Sequence, residues 1–279
     1  MELTINHPPK FQSRYGHGKP VARYIDAVLQ ARLDQQQQFL TDLSAVHDGL
    51  ASINIEEPDD SMEPRWRQSW MPPLDGISIY GAIARRRPSV YLEVGSGNST
   101  KFAAKAIRDL NLDTKIISID PQPRAEIDDL ATTIVRQPLE EIDLEIFDQI
   151  SDGDVVFFDG SHRCLQNSDV TVFFIDVLPM LKTNTLVGIH DIFWPYDYSE
   201  KWVTRYYSEQ YVVGAYMLAL GEKFPCVFSS AYMFRKHLDA VVGALPAALN
   251  ELFENNDLQA KGACLWFEKP QVSFGTHLN

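Results

Sequence analysis

The sequence predicts an α/β fold, a doubly wound sheet of seven strands preceded by a helical extension. Three observations predict it. From about residue 89 onward, short β-branched or aromatic runs alternate with segments of helical periodicity. Apolar residues stand consecutively in several of these runs, as they do in parallel strands covered by helices on both faces. The chain has 279 residues, 45% hydrophobic and 23% charged, enough to bury a core and unlike a disordered or collagen-like composition.

Taken in order, residues 1–20 are rich in Pro, Gly, His and Lys and read as an irregular arm. Within it, Arg14-Tyr-Gly-His-Gly-Lys-Pro20 reads as a shaped loop. From Val21, apolar residues recur at helical spacing through Ile25, Val28, Leu29, Leu33, Leu40, Leu43, Val46 and Leu50, which predicts an amphipathic helix or helix pair. The glutamines at 35–38 are expected on its wet face. A Pro/Asp/Glu-rich stretch at 56–64 and the pair Pro72-Pro73 break the pattern, so residues 1–74 read as extension and 75–279 as the main domain. A helix through Ile77, Ile79, Tyr80 and Ile83 must stop before Pro88. Strands are then expected at 89–94, 115–119, 132–135, 154–158, 185–189, 226–230 and 263–268, with a helix between the last two. There is no internal repeat.

Charge narrows the partners. Lys and Arg number 25 against 38 Asp and Glu, and the resulting net charge of −13 repels a polyphosphate, so nucleic acid is not an expected partner. Arg85-Arg86-Arg87, at the end of a predicted helix, complements its dipole. Cys164, Cys226 and Cys264 are odd in number and lack metal spacing, which fits free thiols in a reducing compartment. No export signal and no apolar stretch of the ~20 residues needed to span a bilayer is apparent, so a cytoplasmic protein with no membrane partner is expected.

The first strand runs into Glu93-Val-Gly-Ser-Gly-Asn-Ser-Thr100. In a doubly wound sheet this first strand-to-helix turn approaches the ligand most closely. Gly95 and Gly97 permit that approach, while Ser96, Asn98, Ser99 and Thr100 supply donors and start the next helix. A dinucleotide fingerprint wants Gly or Ala three positions after the second glycine, where Thr100 stands, and a pyrophosphate fits poorly beside Glu93. A sulfonium cofactor without phosphate suits the turn better. The second strand ends in Asp120, roughly twenty residues beyond the turn, placed to accept ribose hydroxyls.

On these residues the chain resembles the class I S-adenosyl-L-methionine (SAM) dependent methyltransferases, Glu93 to Thr100 matching the first motif and Asp120 the acidic ribose position. The resemblance covers roughly residue 75 to the C-terminus. It implies a Rossmann-like, mostly parallel seven-stranded sheet with the last strand antiparallel, and an adenine near residues 136–139.

The fourth strand ends in Asp159-Gly-Ser-His162 and the fifth in His190-Asp191, which brings four chemically active side chains to one sheet edge. His162 or His190 is a candidate general base, since an unperturbed imidazole pKa near ~6.5 suits neutral pH. The arrangement also resembles the catechol-type O-methyltransferases, in which a carboxylate after strand four and an Asp-Asn pair after strand five hold magnesium. That resemblance implies Asp159, His190 and Asp191 as ligands of Mg2+ or another divalent metal, with His162 where the family has a lysine base. The rival arrangement is metal-free, with Asp191 orienting His190. Asp159 also borders the expected cofactor site.

The aromatic segment from Trp194 to Tyr211 suggests a sugar or planar-ring acceptor, with residues 194–198 as a binding loop and Tyr207 and Tyr211 as packing. The motif set resembles bacterial methyltransferases of glycans and secondary metabolites, which implies O-methylation of a small molecule or glycan. The extension is then expected to close over the acceptor or to form a homo-oligomer contact. The alternatives are an NAD(P)-dependent oxidoreductase of the same fold and a non-catalytic nucleoside-binding protein.

Overall fold

The computed structural model of the chain describes residues 12–253 and 262–271, so the expectations placed on residues 1–11 lie outside the described part. The extension holds helices α1 (Arg23–Gln30), α2 (Leu33–Asp42) and α3 (His47–Ala51). The main domain begins with α4 (Pro73–Arg86), β1 (Val90–Val94), α5 (Asn98–Asp109), β2 (Lys115–Ile119), β3 (Thr133–Val135) and β4 (Val155–Phe158). It continues with α6 (Asp169–Val172), α7 (Leu178–Met180), β5 (Leu186–Ile189), α8 (Glu209–Leu220) and β6 (Cys226–Ser229). The last elements are α9 (Ser230–Lys236), α10 (Leu238–Gly243) and β7 (Leu265–Glu268).

The seven strands form one sheet in the order β3-β2-β1-β4-β5-β7-β6. β7 runs antiparallel to both of its neighbours and the other pairings are parallel. Strands β1, β4, β5 and β6 are buried at every position because helices cover both faces. Before β4, Asp154 accepts the amides of Ser89 and Val90 at 2.8 and 2.9 Å, which aligns the starts of β1 and β4.

One hydrophobic cluster runs from Ile25, Leu40 and Leu50 in the extension through Leu74 and Ile83 to Phe157, Val187 and Trp266 in the sheet. The extension therefore shares the core of the main domain. At the end of α4, Arg85 pairs with Asp42 and Arg86 with Glu268, while Arg87 takes the left-handed cap. No helix among the described residues is long and apolar enough to cross a membrane.

Two local expectations need correction. Gln36 is fully buried instead of facing water, because its amide donates to Leu29 O at 2.9 Å and accepts from Ser229 N at 3.1 Å. Between β6 and β7 stand α9, α10 and a 3-10 turn, Ala247–Phe253, where one helix was expected. In the 194–198 loop, Trp194 and Tyr198 are packed: the Trp194 indole N–H donates to Gln210 O, and the Tyr198 hydroxyl accepts from Gln210 N at 3.2 Å. Trp194 also lines a cavity of about 750 Å³ with Tyr15 and Tyr211, and Asp197 and Tyr198 line a smaller one of about 280 Å³.

Candidate active site

The carboxyl ends of β1, β2 and β4 border a cavity of about 350 Å³, within the size range of small-molecule sites. Gly95, Ser96, Gly97, Asn98, Ser99, Asp120, Pro138, Leu139 and Asp159 line it, so the turn, the acid expected to meet a ribose and the segment expected near an adenine border one cavity. Asp120 accepts Ser96 N at 2.7 Å through one oxygen and Gln122 N at 2.7 Å through the other, which fixes its carboxylate at the mouth. Gly95 has φ +79°, and a Cβ there would overlap the carbonyl oxygen of Asp159, so the turn requires glycine.

Glu93 and Thr100 serve the turn from behind and do not line the cavity. Glu93 is fully buried and accepts from Thr100 Oγ1, from Ser99 Oγ at 3.1 Å and from the Tyr91 hydroxyl at 3.2 Å. Burial pushes its pKa up to about 8, against the lowering effect of these hydrogen bonds. The carboxyl group is thus largely protonated at neutral pH. Because the folded pKa lies above the ordinary 4.5, stability falls as pH rises from about 4.5 through about 8. Glu93→Gln keeps a neutral hydrogen-bonding group and should remove that fall. Paired thermal melts across this window check it, and a constant difference between the two proteins would sink the assignment.

The sequence reading missed Trp70 and Met71, which come from the extension and also line the cavity. Arg124, in the loop between β2 and β3, lies 4.5 Å over the Trp70 ring. Gln68 accepts from Trp70 N, Met71 N and Asn98 Nδ2, tying this stretch to the start of α5. The only signal in the sequence was an aromatic residue just before Pro72-Pro73.

Beside the cavity, His162, His190 and Asp191 form a buried network with Asp159. Asp159 Oδ1 lies 3.2 Å from both His162 Nε2 and His190 Nδ1. Asp191 lies 3.4 Å from His162 Nε2 and 3.8 Å from His190 Nδ1. Of these four, Asp159 is the member in the cavity wall. Two acids with no catalytic role expected from the sequence back the imidazoles: Glu209 Oε2 is 2.7 Å from His162 Nδ1, and Asp75 Oδ2 is 3.2 Å from His190 Nε2, off hydrogen-bond geometry. His162 and Asp191 both hold left-handed backbone, φ +59° and +55°, the kind of local strain that collects at functional sites.

The charges decide the protonation states. Burial alone would lower the His162 pKa, but the Asp191 charge and the bonds to Asp159 and Glu209 outweigh it and hold it well above the imidazole value. His190 moves the same way, burial being overcome by the charges of Asp159 and Asp191. Asp159 is held far below the carboxylate range because the imidazolium of His190 and the bond to His162 override its burial. Both rings are cationic at neutral pH.

The expected metal set does not gather. Among the described residues, the group whose ligand atoms all lie within 4.8 Å of one another is Asp75, His190 and Cys264, and not Asp159, His190 and Asp191. Imidazoles engaged by carboxylates also differ from the oxygen cage that magnesium prefers. The residues as arranged do not fit that ion.

Fold and cavity together define the class: a doubly wound α/β protein with a small-molecule-sized cavity over the ends of β1, β2 and β4. Residues 92–192 match the family model described as a methyltransferase domain. These residues therefore form a methyltransferase domain on a Rossmann-like sheet. Among solved structures, it is similar to an SAH-bound methyltransferase of Podospora anserina, at 14% identity and TM-score 0.38, over 66% of this chain and 80% of that one. It is also similar to a plantazolicin methyltransferase in complex with SAH, at 15% identity and TM-score 0.34, over 84% of this chain and 99% of that one. No curated protein matches the chain.

Proposed function

We propose that the domain methylates a hydroxyl group of a small-molecule or glycan acceptor. The observation that carries this reading is the charge of the cavity wall: Asp120, Glu140, Asp159 and Asp169 stand against a single base, Arg124. Such a wall repels a pyrophosphate and so disfavours a nicotinamide dinucleotide, while it attracts a sulfonium. The buried network reaches the cavity through Asp159, where an acceptor hydroxyl would meet it.

SAM supplies an activated methyl group, so the new O–C bond forms as the S–C bond breaks and its electron pair stays on sulfur. The protein's part is alignment and proton removal. Asp120 holds ribose hydroxyls, and the glycine turn, its Gly95, Ser96 and Gly97 amides bonded to Ile119 O, Asp120 and Thr100 Oγ1, lets the cofactor approach its backbone closely. Asp159 accepts a hydrogen bond from the acceptor hydroxyl. The hydroxyl proton passes through the Asp159 carboxylate to Nε2 of His162, 3.2 Å behind it, when that ring is neutral, and Asp191 and Glu209 hold the imidazolium that results. No step runs through a metal.

The test is SAH production from SAM with a panel of hydroxylated sugars and phenols. His162→Ala should lose turnover by ~10²-fold or more, in the range of a lost general base, with SAH affinity unchanged. Because a base must be neutral and the His162 pKa is raised, the wild-type rate should climb as pH is taken above 7 toward that pKa. Unchanged turnover in His162→Ala would remove it as the base. Binding of NAD without binding of SAH would overturn the reading as a whole.

A further inference from the structure

We propose that Glu209 is a positioning residue, the group that fixes the ring of His162 in the network beside the cofactor cavity; this rests on the methyltransferase reading of that site. The geometry is direct. Glu209 Oε2 meets His162 Nδ1 at 2.7 Å, so the opposite nitrogen, Nε2, faces Asp159 and Asp191. With Nδ1 held, the ring cannot turn without breaking both contacts.

The segment that carries Glu209 is built around His162. Ser208 N and Glu209 N both donate to His162 O, at 2.8 and 3.2 Å. The Tyr207 ring packs 4.5 Å from the imidazole. Three successive residues thus bind the backbone, the face and the edge of one histidine. Arg163, which follows it, donates to Arg205 O at 3.0 Å and closes the same junction.

The chemistry of Glu209 argues against a role in stability alone. Its side chain is fully buried, and its second oxygen, Oε1, has no hydrogen-bond partner. A buried acid with an orphaned oxygen costs free energy that an apolar residue of similar volume would not. What the acid provides there is orientation of the imidazole, as outer carboxylates do for histidines elsewhere. Asp75 stands behind His190 in a similar way, but its oxygens also bind backbone amides, so its role is not separable from folding.

The experiment uses the full-length protein and its isosteric variant Glu209→Gln. In the wild type, proton NMR should show a downfield, exchange-protected imidazole N–H that disappears in His162→Ala. Glu209→Gln should lose that resonance while keeping its cooperative melt and its SAH affinity. With an acceptor in hand, its kcat should fall roughly 10- to 100-fold at an unchanged KM for SAM, and Glu209→Asp should recover part of the loss. Persistence of the resonance in Glu209→Gln, or an unchanged kcat, overturns the proposal. Loss of SAH binding by the wild type would instead overturn the reading of the site, so the two failures are distinguishable.

Discussion

Gly95→Ala should abolish SAH binding and cost roughly 3 kcal/mol or more of stability, among the larger effects expected of a single substitution. Left-handed backbone costs a non-glycine residue ~1–2 kcal/mol on its own. The rest comes from overlap with the Asp159 carbonyl oxygen, which no rotamer change relieves because a Cβ has no freedom to move. Asp159 N is bonded to Val94 O at 2.8 Å, so making room means parting the ends of β1 and β4. That would displace both walls of the cavity together. At 2–4 °C per kcal/mol for a chain of this size, the melting temperature should drop by roughly 6–12 °C. A variant that melts normally and titrates SAH like the wild type would show that the turn can relax.

Asp75→Ala should cost ~3–5 kcal/mol, the range for removing one partner of a buried charged pair. Asp75 Oδ1 accepts Ala263 N at 2.9 Å and Cys264 N at 2.8 Å, and Oδ2 accepts Ala263 N at 2.8 Å. The same carboxylate faces the cationic ring of His190 at 3.2 Å. Alanine strands two amides and one imidazolium in a region where Asp75 itself is completely shielded from water. Asp75→Asn, which keeps one acceptor oxygen but no charge, should lose less. Denaturant unfolding of the two variants separates hydrogen bonding from charge. Equal losses would mean that the ion pair with His190 contributes nothing.

The strands were legible because burial on both faces writes itself into consecutive apolar residues, and the observed bounds of β1 to β6 fall within a residue of the expected ones. β7 starts at Leu265 instead of residue 263 for a physical reason. Ala263 and Cys264 have the right composition, but their amides go to Asp75 and not to a neighbouring strand. The cofactor turn was legible because it is local, with glycines, hydroxyls and an acid inside one octapeptide. His162, His190 and Asp191 were legible as positions at the sheet edge, but their charge state was not. It depends on Asp75 and Glu209, which stand 115 residues before His190 and 47 residues after His162 in the sequence. Glu209 opens α8, where an acid reads as an ordinary complement to the helix dipole. Gln36 was misread for a related reason: its hydrogen-bond partner on β6 lies 193 residues away.

That glutamine has a wider consequence. β6 is a terminal strand of the sheet, and such strands present unpaired backbone groups on which a foreign strand can template. Here Gln36 occupies the Ser229 amide, and Arg32 takes the carbonyls of Glu222 and Phe224 just before β6. The helices ahead of the catalytic fold therefore act as a guard rail against aggregation. A shortened chain beginning at α4 would keep every residue of the candidate cofactor cavity that lies beyond Met71, yet expose a surface on which its own copies could polymerise.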